Sequence, residues 1–305
     1  MALLGLFTAR QNDAAPVSAY FAEMIEGYSI EVMPRTASKI DDLKGLLPAG
    51  TRVYVAHIAG TPIDDMVATA RRLTDDGFTP MPHIPARNIA NVPTLENWLR
   101  RYRDEAGVGQ ALLLGGGQAE PVGELHSSIQ LLESGLFDRY GFRRLHVAGH
   151  PEGHPGIDAD GTTHLVDDAL LTKQAYADRT DADMAIVTQF CFAAKPVIAW
   201  AERIAAAGIT LPIHLGVAGP TKLQTLMKFA ITCGVGPSLA VLQKRALDLG
   251  KLLLPFEPYD FINEIATYRA NRPGSLIAQI HVFPLGGIRQ SADWMNERLA
   301  ADVDG

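Results

Sequence analysis

The stretch Tyr28-Ser-Ile-Glu-Val-Met-Pro-Arg-Thr36 decides the fold. It reads as a short apolar strand that stops at Pro-Arg-Thr, with a carboxylate, Glu31, between Ile30 and Val32. A first strand buried on both faces should be apolar throughout. An acid inside it is costly unless it is paired or its charge is used. The bland reading is a structural ion pair, with Arg35 the nearest candidate. The alternative is a functional acid.

Working outward, strand-like segments recur at 51–58, 78–84, 109–115, 143–149, 183–190, 212–218 and 276–284, so that 28–34 is the first of eight. Helical patterns separate them at 62–75, 93–106, 123–138, 165–178, 194–207, 221–233 and 237–270, and 291–300 closes the chain. An additional helix over 15–27 precedes the first strand, with Pro16 and Gly27 as its punctuation. Eight strands each followed by helix predict an α/β fold, a (β/α)8 TIM barrel with an additional N-terminal helix. The whole of 1–305 is expected to be a single catalytic domain. A doubly wound open sheet is the competing arrangement. It would carry a glycine-rich turn after its first strand, where this chain has Met-Pro-Arg-Thr.

Bulk properties narrow the function. The net charge of −7 argues against nucleic acid and against an anionic membrane surface. Two cysteines, Cys191 and Cys233, give neither a disulfide framework nor metal-ligand spacing. No apolar run reaches the ~20 residues of a membrane span, and the start lacks a basic segment of the signal-peptide kind. A cytoplasmic protein is expected.

In a barrel, chemistry gathers at the C-terminal ends of the strands. Read in order, those ends supply Glu31, His57, His83, the run Leu114-Gly115-Gly116-Gly117, then His150 and His154, Gln189, His214, and lastly His281 with Phe283. Five of the eight ends carry histidine, which favours one rim. Each histidine taken alone is a plausible local hydrogen-bonding residue. A metal site is the weaker option, because barrel metallohydrolases place His-x-His on the first strand and this chain has none. No metal is expected. The glycine run either cradles a phosphate or makes a tight turn. Desolvation among Phe190, Phe229 and Phe283 would raise the Glu31 pKa and make it a proton donor near neutrality. Gln189 offers the paired donor and acceptor that suit an amide-like heterocycle edge. Phe229 is either core or a stacking surface.

These residues, in this order, resemble the methylenetetrahydrofolate reductase family, a flavin-dependent barrel. The resemblance covers roughly 25–290 and rests on Ser29-Ile-Glu31-Val-Met-Pro34-Arg35-Thr36, Pro82-His83, His150-Pro-Glu-Gly-His154-Pro, Ile186-Val-Thr188-Gln189-Phe-Cys-Phe192, Gly216 through Lys228-Phe229-Ala230, and His281-Val-Phe283. It implies reduction of 5,10-methylenetetrahydrofolate to 5-methyltetrahydrofolate with NAD(P)H, FAD as cofactor, and Glu31 as general acid. It also implies folate binding by Gln189, Phe229 and Phe283. Flavin contacts would come from His57, His83, Leu114, Gly115, Gly116, Gly117, His150, His154, Asp168, Lys173 and Gln174. A role in one-carbon metabolism and methionine biosynthesis follows, as does a homo-oligomer.

The chain departs from the family pattern at the fourth strand. Leu114-Gly115-Gly116-Gly117 stands where the family has Leu-Arg-Gly-Asp, so both an arginine and an aspartate are gone. Ala56 and His150 replace a threonine and a tyrosine. These losses keep open a flavin-independent reductase of the same substrate. A folate-binding methyltransferase barrel and a non-catalytic folate- or flavin-binding protein are the other readings.

Overall fold

The computed structural model describes residues 19–232 and 255–303. Eight parallel strands close into a barrel in sequence order. They are β1 (Ser29–Val32), β2 (Arg52–Val55), β3 (Thr79–Pro85), β4 (Gln110–Leu114), β5 (Arg144–Gly149), β6 (Asp183–Cys191), β7 (Ile213–Ala218) and β8 (Ile277–Phe283). Closure is made by β1 against β8, with Ser29 opposite His281 and Ile30 opposite Val282. The helices are α1 (Ala19–Ile25), α2 (Pro34–Ala37), α3 (Ile63–Asp75), α4 (Val92–Ala106), α5 (Ser128–Glu133), α6 (Leu136–Arg139), α7 (His164–Ala177), α8 (Ala194–Ala206), α9 (Leu223–Thr232), α10 (Tyr259–Ala270) and α11 (Ile288–Val303). The expected α/β barrel is therefore the observed one. No described helix is long and apolar enough to cross a membrane.

Strand periodicity divides the buried residues into two cores. Outward-facing Ile30, Val53, Val55, Leu113, Val147, Ile186, Leu215 and Ile280 pack on the helices in one continuous cluster. A smaller apolar cluster of Tyr54, Met81, Leu112 and Val187 fills part of the lumen. The additional helix α1 belongs to the outer ring. Its Phe21 stacks on Tyr259 of α10 at 4.8 Å and meets Trp294 of α11 edge-on at 6.3 Å.

Local signals explain the element ends. Asn91 caps α4 by accepting from the Thr94 amide at 2.9 Å. Gly107 ends the same helix in the left-handed conformation, φ 64°. The helix expected over 123–138 is two short ones, because Gly135 at φ 67° breaks it. Helix α2 follows β1 directly, where the Thr36 hydroxyl accepts from the Met33 amide at 3.1 Å. The expected long helix over 237–270 is seen as α10 in its last part, and its residues up to 254 lie outside the described residues.

Candidate active site

Glu31 enters the lumen from the C-terminal half of β1, with its side chain 19% exposed. Arg35 is exposed and is not its partner. The partners come from β3 and β8. Glu31 Oε2 lies 3.3 Å from His83 Nε2 and 4.0 Å from His281 Nε2. His281 is wholly buried, and its Nδ1 lies 3.0 Å from the Ser29 hydroxyl. Both Nε2 atoms are buried, and Glu31 is the group each of them faces, although neither contact has full hydrogen-bond geometry. Two imidazole edges thus converge on one carboxylate oxygen.

This environment reverses one expectation. Burial alone pushes the Glu31 carboxyl up, as the sequence suggested. The His281 and His83 imidazoles outweigh it and hold the carboxyl at about 2. Glu31 is therefore an anion at neutral pH before anything binds. His281 is itself pulled down by burial, although the carboxylate opposes this. Glu31 and His281 titrate as a coupled pair instead of as separate groups.

Beneath the cluster lies a polar layer of which the sequence singles out only His214. The Tyr54 hydroxyl lies 2.6 Å from His146 Nδ1. The Tyr54 ring packs under His281 at 4.3 Å, and His146 meets His214 edge-to-face at 4.7 Å. Burial raises the Tyr54 pKa, so the phenol stays protonated and can donate to His146 Nδ1. In that tautomer His146 carries its proton on Nε2. Burial also holds His146 well below its ordinary value and His214 at about 3, so both are neutral. His214 occupies the second position of β7, not its C-terminal end as expected. The signal that could have found this layer is the period of two: Ser29 precedes Glu31 by two residues, and Tyr54 and His146 sit at inward positions of their strands.

The far wall is shaped by a bulge. The register of β6 against β7 shifts between Val187 and Phe190. The Gly216 amide donates to the Thr188 hydroxyl at 2.9 Å, and that hydroxyl donates to the Gln189 carbonyl at 2.7 Å. A Cβ on Gly216 would lie 2.5 Å from the carbonyl oxygens of both Thr188 and Gln189, so only glycine fits. Bulges re-aim side chains beside active sites. Here Gln189 hydrogen-bonds His150, whose pKa burial lowers to about 3. Phe190 and Phe283 form the apolar roof with ring centroids 5.5 Å apart, and Phe283 lies 4.8 Å from His281. Phe229, 38% exposed on α9, stands outside that cluster.

The other expected contacts separate into two groups. His83 stands beside Glu31, His150 is hydrogen-bonded by Gln189, and Leu114 packs at the edge of the lumen cluster. His57 lies 3.0 Å through Nε2 from the Thr61 carbonyl, and its ring is 4.9 Å from Trp98. His154 meets His150 edge-on at 5.0 Å. Gly115, Gly116 and Gly117 form a turn over β3. The Gly115 carbonyl accepts from the Arg87 amide at 2.9 Å, and Gly116 needs its φ of 105°.

The α7 residues expected at a flavin, Asp168, Lys173 and Gln174, face solvent or partners within the protein. Asp168 is exposed. Gln174 is consumed by a latch to the segment before β7, accepting from the Thr210 amide at 2.8 Å and donating to the Thr210 hydroxyl at 3.0 Å. Lys173 points at strand β5, donating to the Ala148 carbonyl at 3.0 Å. With the strand-4 arginine also absent, these residues do not fit the diphosphate of a flavin dinucleotide. Among the described residues, no group of three or more His, Cys, Asp or Glu side chains is arranged to hold a metal ion.

No family model matches the chain. Among solved structures, one of similar fold is an uncharacterized protein from Clostridium thermocellum that binds two copies of 5-methyl-5,6,7,8-tetrahydrofolic acid. Its TM-score is 0.55 at 11% identity, over 93% of this chain and 96% of that one. The likeness establishes a shared barrel fold.

Proposed function

We propose that this protein binds a tetrahydrofolate in the barrel mouth and interconverts its 5,10-methylene and 5-methyl forms, with NAD(P)H as the source of reducing equivalents. The observation that carries the reading is the Glu31 carboxylate, with the Nε2 atoms of His83 and His281 turned to it at 3.3 and 4.0 Å below an aromatic roof. Opening the five-membered ring of 5,10-methylenetetrahydrofolate requires a proton on N10. The resulting iminium carbon then takes a hydride. A carboxylate with two imidazoles can hold that proton and release it at one place, away from bulk water.

The remaining residues suit the rest of the substrate. The Gln189 amide can donate to and accept from the lactam edge of the pterin, and Phe283 with Phe190 offers an apolar face to its ring. The fold likeness to a protein that binds 5-methyltetrahydrofolate supports a folate in this mouth. On this reading the protein works in one-carbon metabolism and supplies or withdraws methyl groups for methionine synthesis.

The test separates binding from turnover. Equilibrium titration with 5-methyltetrahydrofolate should show saturable binding, and Glu31→Gln should preserve it while abolishing NAD(P)H-dependent reduction. Binding with no turnover in the unsubstituted protein would favour a methyltransferase or a carrier. Equal turnover in the variant would remove Glu31 from the chemistry.

A further inference from the structure

We infer that this barrel passes hydride directly from the dihydronicotinamide to the bound folate, with no resident flavin. The inference rests on the folate reduction proposed above and names its hydride route. It is carried by the side of the mouth formed by β3, β4 and β5, where a flavin dinucleotide would have to be held throughout the cycle.

A resident dinucleotide needs its diphosphate neutralised, by cations or by an open helix N-terminus. Each candidate on this side is already engaged. The N-terminus of α7 is occupied by the chain's own anion. Asp158, only 4% exposed, accepts from the Leu165 amide at 2.8 Å and the Val166 amide at 3.2 Å. Arg87 is committed through Nε and Nη1 to the β4–α5 loop, donating to the His126 carbonyl at 3.2 Å and to the Gln118 carbonyl at 2.9 Å. Lys173 is 5% exposed, with its ammonium on the Ala148 carbonyl.

The loops themselves repel an anion. Residues 115–127 and 150–163 contain five carboxylates, Glu120, Glu124, Glu152, Asp158 and Asp160, and no lysine or arginine. In the glycine run, Gly116 is required by the turn itself, with φ at 105° and Pro85 3.3 Å from where a Cβ would stand.

A nicotinamide co-substrate faces a weaker requirement. It binds and leaves in every turnover, so its phosphates can remain in water while its ring enters the mouth. The step balances without a mediator. The C4–H bond of the dihydronicotinamide breaks, and its electron pair forms the new C–H bond at the folate iminium carbon. The oxidised nicotinamide leaves as a cation. The N10 proton enters from water and passes through the Glu31 carboxylate, which ends the step as the anion it was at the start. Because both rings must be present together, the kinetics are sequential.

The experiment uses the purified full chain. It should show no visible flavin bands, and FAD titrated to micromolar concentration should not have its fluorescence quenched saturably. Nicotinamide deuterated at the transferable C4 position should place one deuterium in the methyl group of 5-methyltetrahydrofolate without added flavin, with intersecting initial-rate lines. Stoichiometric flavin, or saturable FAD binding with parallel-line kinetics, would overturn the direct route and leave folate reduction standing. If folate binds but neither flavin nor label transfer is found, the proposed reduction fails and the direct route with it.

Discussion

Acidifying this protein should destabilise it well before its ordinary carboxylates titrate. His150 and His214 are held neutral by burial, each with a pKa of about 3 against an ordinary 6.5. Above pH 6.5 neither the folded nor the unfolded form binds a proton at these positions, so they do not affect stability. Below it the unfolded chain takes up protons that the native barrel refuses, and stability falls until the native pKa is reached. At about pH 5 the difference is RT ln(1 + 10^1.5), or ~2 kcal/mol per histidine and ~4 kcal/mol for the pair. His146 and His281, also depressed, act in the same direction. Glu31 is depressed as a carboxylate, so its contribution is complete above 4.5 and is lost as the pH falls toward about 2. It adds little at pH 5. A loss of ~4 kcal/mol is a large share of the ~5–15 kcal/mol of a typical domain. Urea unfolding followed by circular dichroism at about pH 7.5 and about pH 5 measures it. His214 Nδ1 has no hydrogen-bond partner, so His214→Leu removes the titration with little other loss. That variant should lose ~2 kcal/mol less on acidification than the unsubstituted protein. A pH difference below ~1 kcal/mol in the unsubstituted protein, or an unchanged difference in the variant, would refute the buried neutral histidines.

Other outcomes follow from single contacts. Glu31→Gln should lower kcat by ~10²–10⁴-fold with folate affinity nearly constant, read by steady-state kinetics beside equilibrium binding. Tyr54→Phe leaves His146 Nδ1 without its donor and should cost about 1–3 kcal/mol in urea unfolding. Gly216→Ala drives a Cβ into two carbonyls of the β6 bulge and should cost about 1–3 kcal/mol. It should also weaken 5-methyltetrahydrofolate binding, because Gln189 is displaced, and a variant with unchanged affinity would separate the bulge from the site.

The barrel was legible because β-branched runs and amphipathic segments alternate eight times, and local pattern determines both. Glu31 was legible for a related reason, as a charge inside an apolar run. Its ionisation was not. His83 and His281 lie 52 and 250 residues further along the chain, and only barrel closure brings them to one oxygen. The pairing overrides the desolvation that the local sequence suggests. Lys173 and Gln174 show the same limit on α7. Their composition suits a phosphate or an amide, but the face they occupy turns them to β5 and to Thr210. His214 does not reach the rim, although the expected strand 212–218 matches β7, because it stands at the second position of that strand and faces the lumen below the C-terminal end.

The Tyr54–His146–His214 layer gives this barrel an inseparable foundation. Most barrels rest the catalytic rim on a greasy plug of branched side chains, so rim and plug can be altered independently. Here the rim imidazole of His281 rests on a phenol that is itself tied to another imidazole. Transplanting the mouth onto another scaffold would require carrying this lower storey with it. An engineer who refilled the lumen with leucine would change the chemistry of the rim while repairing the core.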